Sequence, residues 1–516
     1  MRRVRKPLSD NLKDPELASL EAKFPQLRTL LSRKVSRRQA LTSGAKAAIG
    51  VGAVVVVGAA GYVAYTSVSP GGATVTTSPT TTATTTTASG TGGAKPPFPL
   101  KFVHWHYQDA IITSYLSKFE SAYNEWVEQE VLDNANYNTL IEAKFNAGDK
   151  FDMNYENADA ALRLVFLGKE LDLEDMPGIA QIKADLYPSI VSAYSTIEGK
   201  LGGLPYFVST RSATTANDKK LEQYGMAGEY PTTWDELWDM GRKLQGKGLD
   251  KPILPHWFAV WYGLVWDLES ELGGTFSDPD LTKTYFGKDF KPAFDPNSGP
   301  LHDLLKGWQK LYQDKTIDPI ALTWGGDGPM VTAFNSGAYA FNPTAIYYFW
   351  AANDPSQSQI AGSATLVPPG KGLTGVIDTG LYQKPKNNSG DVDRQLRLIK
   401  WFGYKDDQGE FLTAKSWFKS DLLNSGYKPV INLKEVQDAI RERMGDKTDQ
   451  TLKALDEHIA RMSTPFIYKS PLYPEWKQDA GSTILPAVVT GSISVEQGLQ
   501  TMYDNANKLW KKYHGT

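Results

Sequence analysis

Hydrophobic and polar positions divide the chain into three regimes. From Ala47 to Tyr65 nineteen residues pass without a charge, close to the ~20 a helix needs to cross a bilayer. Residues 74–93, TVTTSPTTTATTTTASGTGG, hold no apolar run and no charge. From Pro99 onward apolar residues recur in short runs and at helical spacing. LKFVHWHY (100–107) predicts a short strand, and SYLSKFESAYNEWVEQEVL (114–132) keeps apolar residues at helical spacing. FDMNYENADAALRLVFLGKELDLEDM (151–176) predicts a short strand, a loop, then a helix ending near Gly168. GGLPYFVSTRSATTAND (202–218) reads as extended. In PTTWDELWDMGRKLQGKG (231–248), Thr233 fits a helix N-cap with Glu236 as its capping-box partner, and Gly246 and Gly248 stop the helix. Short strands alternating with helices predict an α/β body.

Charge sharpens the division. Residues 1–69 carry 12 Lys and Arg against 4 Asp and Glu, and the remainder carries 43 against 54. A basic head, an apolar segment and an acidic body follow the charge order of a chain threaded outward. The acidic body also argues against nucleic acid as a partner. The expected order is a basic cytoplasmic or signal region (1–44), an apolar signal or anchor helix (45–68) and a Ser/Thr-rich stalk (69–97). Arg37-Arg38 behind Ser36 resembles a twin-arginine export signal, with Ala40 in place of a larger apolar residue. The residues allow retention as an anchor, cleavage after small residues, or cleavage near Gly44-Ala45 that leaves the apolar helix attached; the bland alternative is a buried core helix. A Thr-rich tract with proline cannot bury enough surface to fold, and extended it reaches roughly 90 Å. It is expected to be a disordered spacer tethering the body to the outer face of the cell membrane.

The 516 residues allow two or three domains. The absence of cysteine removes disulfides, thiolate catalysis and a cysteine-linked lipid anchor. GKGLTG (370–375) has the spacing of a dinucleotide-binding loop but follows Pro368-Pro369 and precedes a strand-like VID, so it reads as a turn. His104 and His106 alternate along a strand and point to opposite faces, which argues against a metal there. No cofactor is expected.

GLPYFVSTRSATTANDKKLEQYGMAGEYPTTWDELWDMGRKL (203–244) resembles the stretch of family 1 extracellular solute-binding proteins in which a GLP strand crosses between lobes. AFNSGAYAFNPTAIYYFW (333–350), ATLVPPGKG (364–372) and VVTGSISVEQGLQTMYDNANKLW (488–510) resemble further pieces of that family in the same order, with Gln497 and Gly498 replacing an acid and an alanine. The resemblance covers about 100 to 513. It implies a two-lobed periplasmic-binding-protein fold, type II-like, with hinge crossings. The first lobe would take 98–208 and 361–403, the second 209–360 and 404–516. It implies a monomeric receptor without catalysis, delivering a di- or oligosaccharide to an ABC importer made of a permease pair and a cytoplasmic ATPase.

Sugar rings lie on aromatic faces, and their hydroxyls need paired donors and acceptors. By position, the resemblance nominates Trp105, His106 and Asp109 after the first strand, and Tyr155, Glu156, Asn157 and Asp159 in the NYENAD loop. It adds Arg211 past the first crossing, for hydroxyls or an acidic sugar, then Trp257, Trp261, Tyr347 and Trp476. Trp257, Trp261 and Trp266 equally fit the core side of a helix; Glu156 and Asp159 fit solvated loop acids, and Arg211 a hinge salt bridge. A surface glycosidase, with carboxylates about 5–10 Å apart, and a stalked surface-layer or adhesion protein are the alternative functions.

Overall fold

A computed structural model describes residues 96–133, 137–258, 262–281 and 284–514. The expected signal region and apolar helix, and all but the last two residues of the expected stalk, lie outside them. Among the described residues no helix is long and apolar enough to cross a membrane.

Two sheets organise the body. The strands are β1 (Leu100–Trp105), β2 (Val127–Leu132), β3 (Met153–Asn157), β4 (Glu170–Leu171), β5 (Leu204–Arg211), β6 (Ala213–Asn217), β7 (Phe341–Thr344), β8 (Ala364–Leu366) and β9 (Val376–Pro385). β1 pairs in parallel with β2 and β3. β9 runs antiparallel to β3, β4 and β5, which completes a six-stranded sheet. β6 forms the centre of a separate three-stranded antiparallel sheet between β7 and β8.

The chain changes sheets within one residue. Arg211 ends β5, Ala213 opens β6, and Ser212 between them takes a left-handed φ of 62°. The return runs from Leu366 to Val376 and contains the GKGLTG turn. The resemblance placed these exchanges after 208 and before 361; the pairing places them at 212 and 367–375, because Thr365 pairs with Ala216 in the smaller sheet. Helix Leu412–Asp421 also packs on β5 of the larger sheet, although its segment was expected in the second lobe. Helix Thr448–Arg461 touches β5 of one sheet and β8 of the other.

Local physics explains where the sequence pattern held and where it broke. Helical spacing through 114–132 ends early: helix Asp109–Tyr123 stops at Asn124, which is left-handed (φ 51°) with its N–H on the Glu120 carbonyl. Residues 127–132 then pair with β1 as β2. No loop separates β3 from helix Ala158–Phe166. Thr233 Oγ1 accepts the Glu236 N–H at 3.1 Å, while Glu236 reaches back to the Thr232 N–H at 2.6 Å, one residue earlier than expected. At helix Val495–His514, Ser494 and Gln497 cap each other at 3.1 and 3.0 Å, so Gln497 performs the capping of an acid. Gly498 is a packing requirement, since a Cβ there would lie 2.1 Å from Val488 Cγ2.

At the start of β1, Arg394 pairs with buried Glu125 at 2.7 Å and donates to the Phe98 carbonyl at 3.1 Å. This fixes the base of the strand opposite the end that carries Trp105.

The return loop has no slack at Gly370, where a Cβ would fall 1.8 Å from the Thr232 carbonyl oxygen. Gly370→Ala is expected to lose about 1–3 kcal/mol of unfolding free energy in urea, against near zero for Lys371→Ala at the exposed neighbouring position. Coincident curves for the two variants would show that the loop can give way.

Candidate functional site

β5 delivers Arg211 to the junction between the sheets, and β9 brings Asp378 beside it. Arg211 lies opposite Val376 and Ser209 opposite Asp378, so Arg211 and Asp378 are diagonal neighbours on one sheet face. Arg211 Nε is 2.8 Å from Asp378 Oδ2. The contact is one of charge: neither atom has a hydrogen bond of acceptable direction. The guanidinium lies 4.1 Å from the Trp266 ring and 5.2 Å from the Tyr347 ring, two cation–π partners, of which Tyr347 comes from a helix packed on the smaller sheet.

His256 completes this end of the site. Its Nδ1 is 3.4 Å from Arg211 Nη1, and its Nε2 is 3.1 Å from Asp327 Oδ1. A guanidinium only donates, so Nδ1 accepts and the proton sits on Nε2, facing Asp327. Burial lowers the pKa of this imidazole, with Asp327 opposing and Arg211 assisting. His256 also stacks on Trp266, with centroids 5.8 Å apart and planes 17° apart. Ser212, at the crossing itself, donates to Asp267 at 2.6 Å.

Helix Gly263–Leu272 continues the site to a second cation. One turn beyond Trp266 it presents Glu269, which is fully buried; its Oε2 accepts from the Tyr468 hydroxyl at 2.8 Å, and its Oε1 has no partner. The first turn of helix Ala158–Phe166 places Asp159 against Lys477 of helix Tyr473–Asp479. The Lys477 ammonium lies 5.8 Å from the Tyr262 ring and 5.4 Å from that of Tyr473. Burial raises the Tyr468 pKa, and the charges of Glu269, Asp159 and Asp378 raise it further. Tyr468 bonds Glu269 and lies within electrostatic reach of acids at both ends, Asp159 and Asp378, so the two ends form one candidate seam. Burial pushes the carboxyls of Glu156 and Glu269 up to about 8.

The nominated residues separate accordingly. Arg211 and Tyr347 meet at one end of the seam, and Glu156 and Asp159 lie at the other. His106, exposed, pairs with Asp109 at 2.5 Å just past β1. Asn157 stands half-buried at the start of helix Ala158–Phe166. Trp105 and Tyr155 belong to the core: their rings meet at 4.3 Å, and Tyr155 stacks on Tyr206 at 4.6 Å. Trp257 is a core ring as well, 4.9 Å from Trp308, with its N–H on Asp267 at 2.7 Å. Trp476 is fully buried among Phe276, Tyr285 and Phe286, with its N–H on the Met502 carbonyl. These four rings are corrected from sugar platforms to packing, since a ring enclosed by protein has no face to offer. Trp261 lies outside the described residues.

Sequence reasoning missed Asp378, His256, Trp266, Asp327, Glu269, Tyr468 and Lys477. Lys477 adjoins a nominated residue, and Trp266 stands in the tryptophan-rich segment. His256 likewise adjoins nominated Trp257, while Asp378, Asp327, Glu269 and Tyr468 are brought in by long-range pairing that leaves no local signal. Among the described residues no group of three or more His, Asp or Glu could hold a metal ion.

Two α/β halves, joined by strands that cross between them and sharing a buried polar seam, define a two-lobed binding protein. Residues 106–389 match the model for the bacterial extracellular solute-binding proteins, and the chain belongs to that family. Membership carries an extracytoplasmic role in solute binding rather than catalysis. No curated protein matches the sequence. Among solved structures, maltose-bound MalE3 of T. maritima is similar with a TM-score of 0.62 at 17% identity, over 81% of this chain and 100% of that one. An ABC transporter solute-binding protein of Agrobacterium radiobacter K84, in complex with ribitol, gives 0.62 at 18%, over 80% and 99%. Another, from Agrobacterium vitis S4 with bound D-mannitol, gives 0.60 at 16%, over 81% and 99%.

Glu156, ordinarily near 4.5, is raised to about 8 by burial, so the folded form holds its proton more tightly than the unfolded form does. Its contribution to stability is fully present below about pH 4.5 and lost as pH rises through about 8. Glu156→Gln removes that dependence, so the wild type should lose melting temperature relative to the variant across this window. Parallel pH profiles would show that Glu156 is ionised in the fold.

Proposed function

We propose that this chain is the extracytoplasmic receptor of an ABC importer and that its cargo is a carbohydrate or polyol held in the seam between the lobes. The observation that carries this reading is the seam itself. Both halves contribute to it, Trp266 and Tyr347 flank it, and Arg211 Nε, Asp378 Oδ2 and Glu269 Oε1 are buried in it without hydrogen-bond partners. A hydroxyl both donates and accepts, so a polyhydroxylated solute satisfies such a mixed set at once, and the half-buried Tyr347 ring suits a C–H face of a sugar. Three similar structures hold maltose, ribitol and mannitol, which supports the ligand class.

In this reading Arg211, Tyr347, Glu156 and Asp159 bind together with Trp266, Asp378, Glu269 and Lys477. His106, Asp109 and Asn157 stand at the carboxyl ends of β1 and β3, where open α/β sheets receive ligands, and form the rim. The lobes meet through the crossings at Ser212 and 367–375, and closure is stabilised by contacts a ligand makes to both. The partners are a permease pair with a cytoplasmic ATPase. The monomeric body is tethered by the apolar segment 45–68 through the Thr-rich stalk, after export under a twin-arginine-like signal. A glycosidase or an adhesion protein is not favoured by any observation at the seam.

The test is a thermal-shift panel on the full-length, detergent-solubilised chain with maltose, longer oligosaccharides, ribitol and mannitol. A ligand at 100 times its Kd adds about 2.7 kcal/mol, a rise of a few degrees for a body of this size, and the sugar is recovered intact. Absence of a shift with every saccharide and polyol defeats the carbohydrate reading, and release of smaller sugars defeats the receptor reading.

A further inference from the structure

We propose that Asp378 determines the charge class of the ligand: by neutralising Arg211 it fits the seam to uncharged saccharides or polyols and turns away their acidic counterparts. The proposal rests on the carbohydrate reading above and sharpens it.

A buried guanidinium flanked by two rings is, taken alone, a receptor for a carboxylate or phosphate, which its planar fork binds in pairs of hydrogen bonds. Arg211 has that setting, with Trp266 and Tyr347 beside it and its side chain almost wholly enclosed. The sheet register cancels the charge. Asp378 is held diagonally across from Arg211 by the β5–β9 pairing, its oxygen 2.8 Å from Nε. The other neighbour on the guanidinium is His256, which accepts from it through Nδ1 and donates to Asp327.

The second cation of the seam is equally committed, because Lys477 is paired with Asp159. Each cation of the seam thus has its own acid, Asp378 for Arg211 and Asp159 for Lys477. An arriving carboxylate finds no cation without its own acid, and a buried unpaired charge is costly.

The unsatisfied atoms point the same way. Asp378 Oδ2 and Arg211 Nε face each other at 2.8 Å without a hydrogen bond of good direction, and Glu269 Oε1 is a buried oxygen with no hydrogen bond at all. A hydroxyl answers donor and acceptor alike. An oxidised carbon answers only the donor and sets a negative oxygen beside Asp378.

Matched pairs that differ only in the oxidation of one carbon isolate this effect: ribitol against ribonate, mannitol against mannonate and maltose against maltobionate. Affinities are measured by titration calorimetry on the full-length chain at neutral pH. The wild type should bind the neutral member of its preferred pair at least about tenfold more tightly than the acid. Asp378→Asn, which keeps the shape and frees Arg211, should gain affinity for the acid by about tenfold or more and so narrow or reverse the ratio. A purely structural role for Asp378 would instead weaken both members together, and that result overturns the proposal. So does a wild type that binds both members equally, a result that does not depend on whether the variant folds. If neither member of any pair binds, the carbohydrate reading fails and this one with it.

Discussion

A charge taken out of water must bring its partner with it, and the buried pairing of Arg211 with Asp378 is the constraint on which the rest of this body depends. The pair exists only because β5 and β9 run antiparallel in one register, and those same strands carry the chain out to the smaller sheet and back. Ser212 turns left-handed directly after Arg211, and its hydroxyl is tied to Asp267. The crossing, the cation and the helix that carries Trp266 are thereby fixed relative to one another. In the proposed reading, binding chemistry and lobe connection occupy the same few residues.

The Lys477 end repeats the solution with different elements. Asp159 comes from the helix after β3 and Lys477 from near the chain's end, 318 residues later. Burial raises the carboxyls of Glu156 and Glu269 to about 8, against the pull of the Asn157 N–H on the first and the Tyr468 hydroxyl on the second. The seam is therefore less negative near neutrality than a count of its acids would indicate, and the protonated carboxyls add donors to it.

Much of the fold was legible because it rests on local rules. The extended stretch 202–218 and the Thr233 cap follow from residue types at fixed spacing. β2 was not legible: Val127, Val131 and Leu132 fit a helical face as well as a strand, and the decision is made by Asn124 and by pairing with β1. Of the candidate residues, Arg211 at the end of β5 and Asp159 just after β3 could be nominated from the sequence. Asp378 could not, since only the register of β9 on β5 brings it to Arg211. The tryptophans misled for a physical reason. An indole offers a sugar platform and a core filler with the same atoms, and position along the chain does not separate Trp266 at the seam from Trp257 and Trp476 in the core.

The clamp of Arg394 on Glu125 and Phe98 has a mechanical consequence. A pull on the chain ahead of Leu100 that runs along β1 loads a strand whose neighbours β2 and β3 are both parallel to it. Such a load is a shear that stretches the whole ladder together, where a sideways pull would unzip it one bond at a time. The strand that takes the strain is also the one whose far end stands beside the rim of the seam.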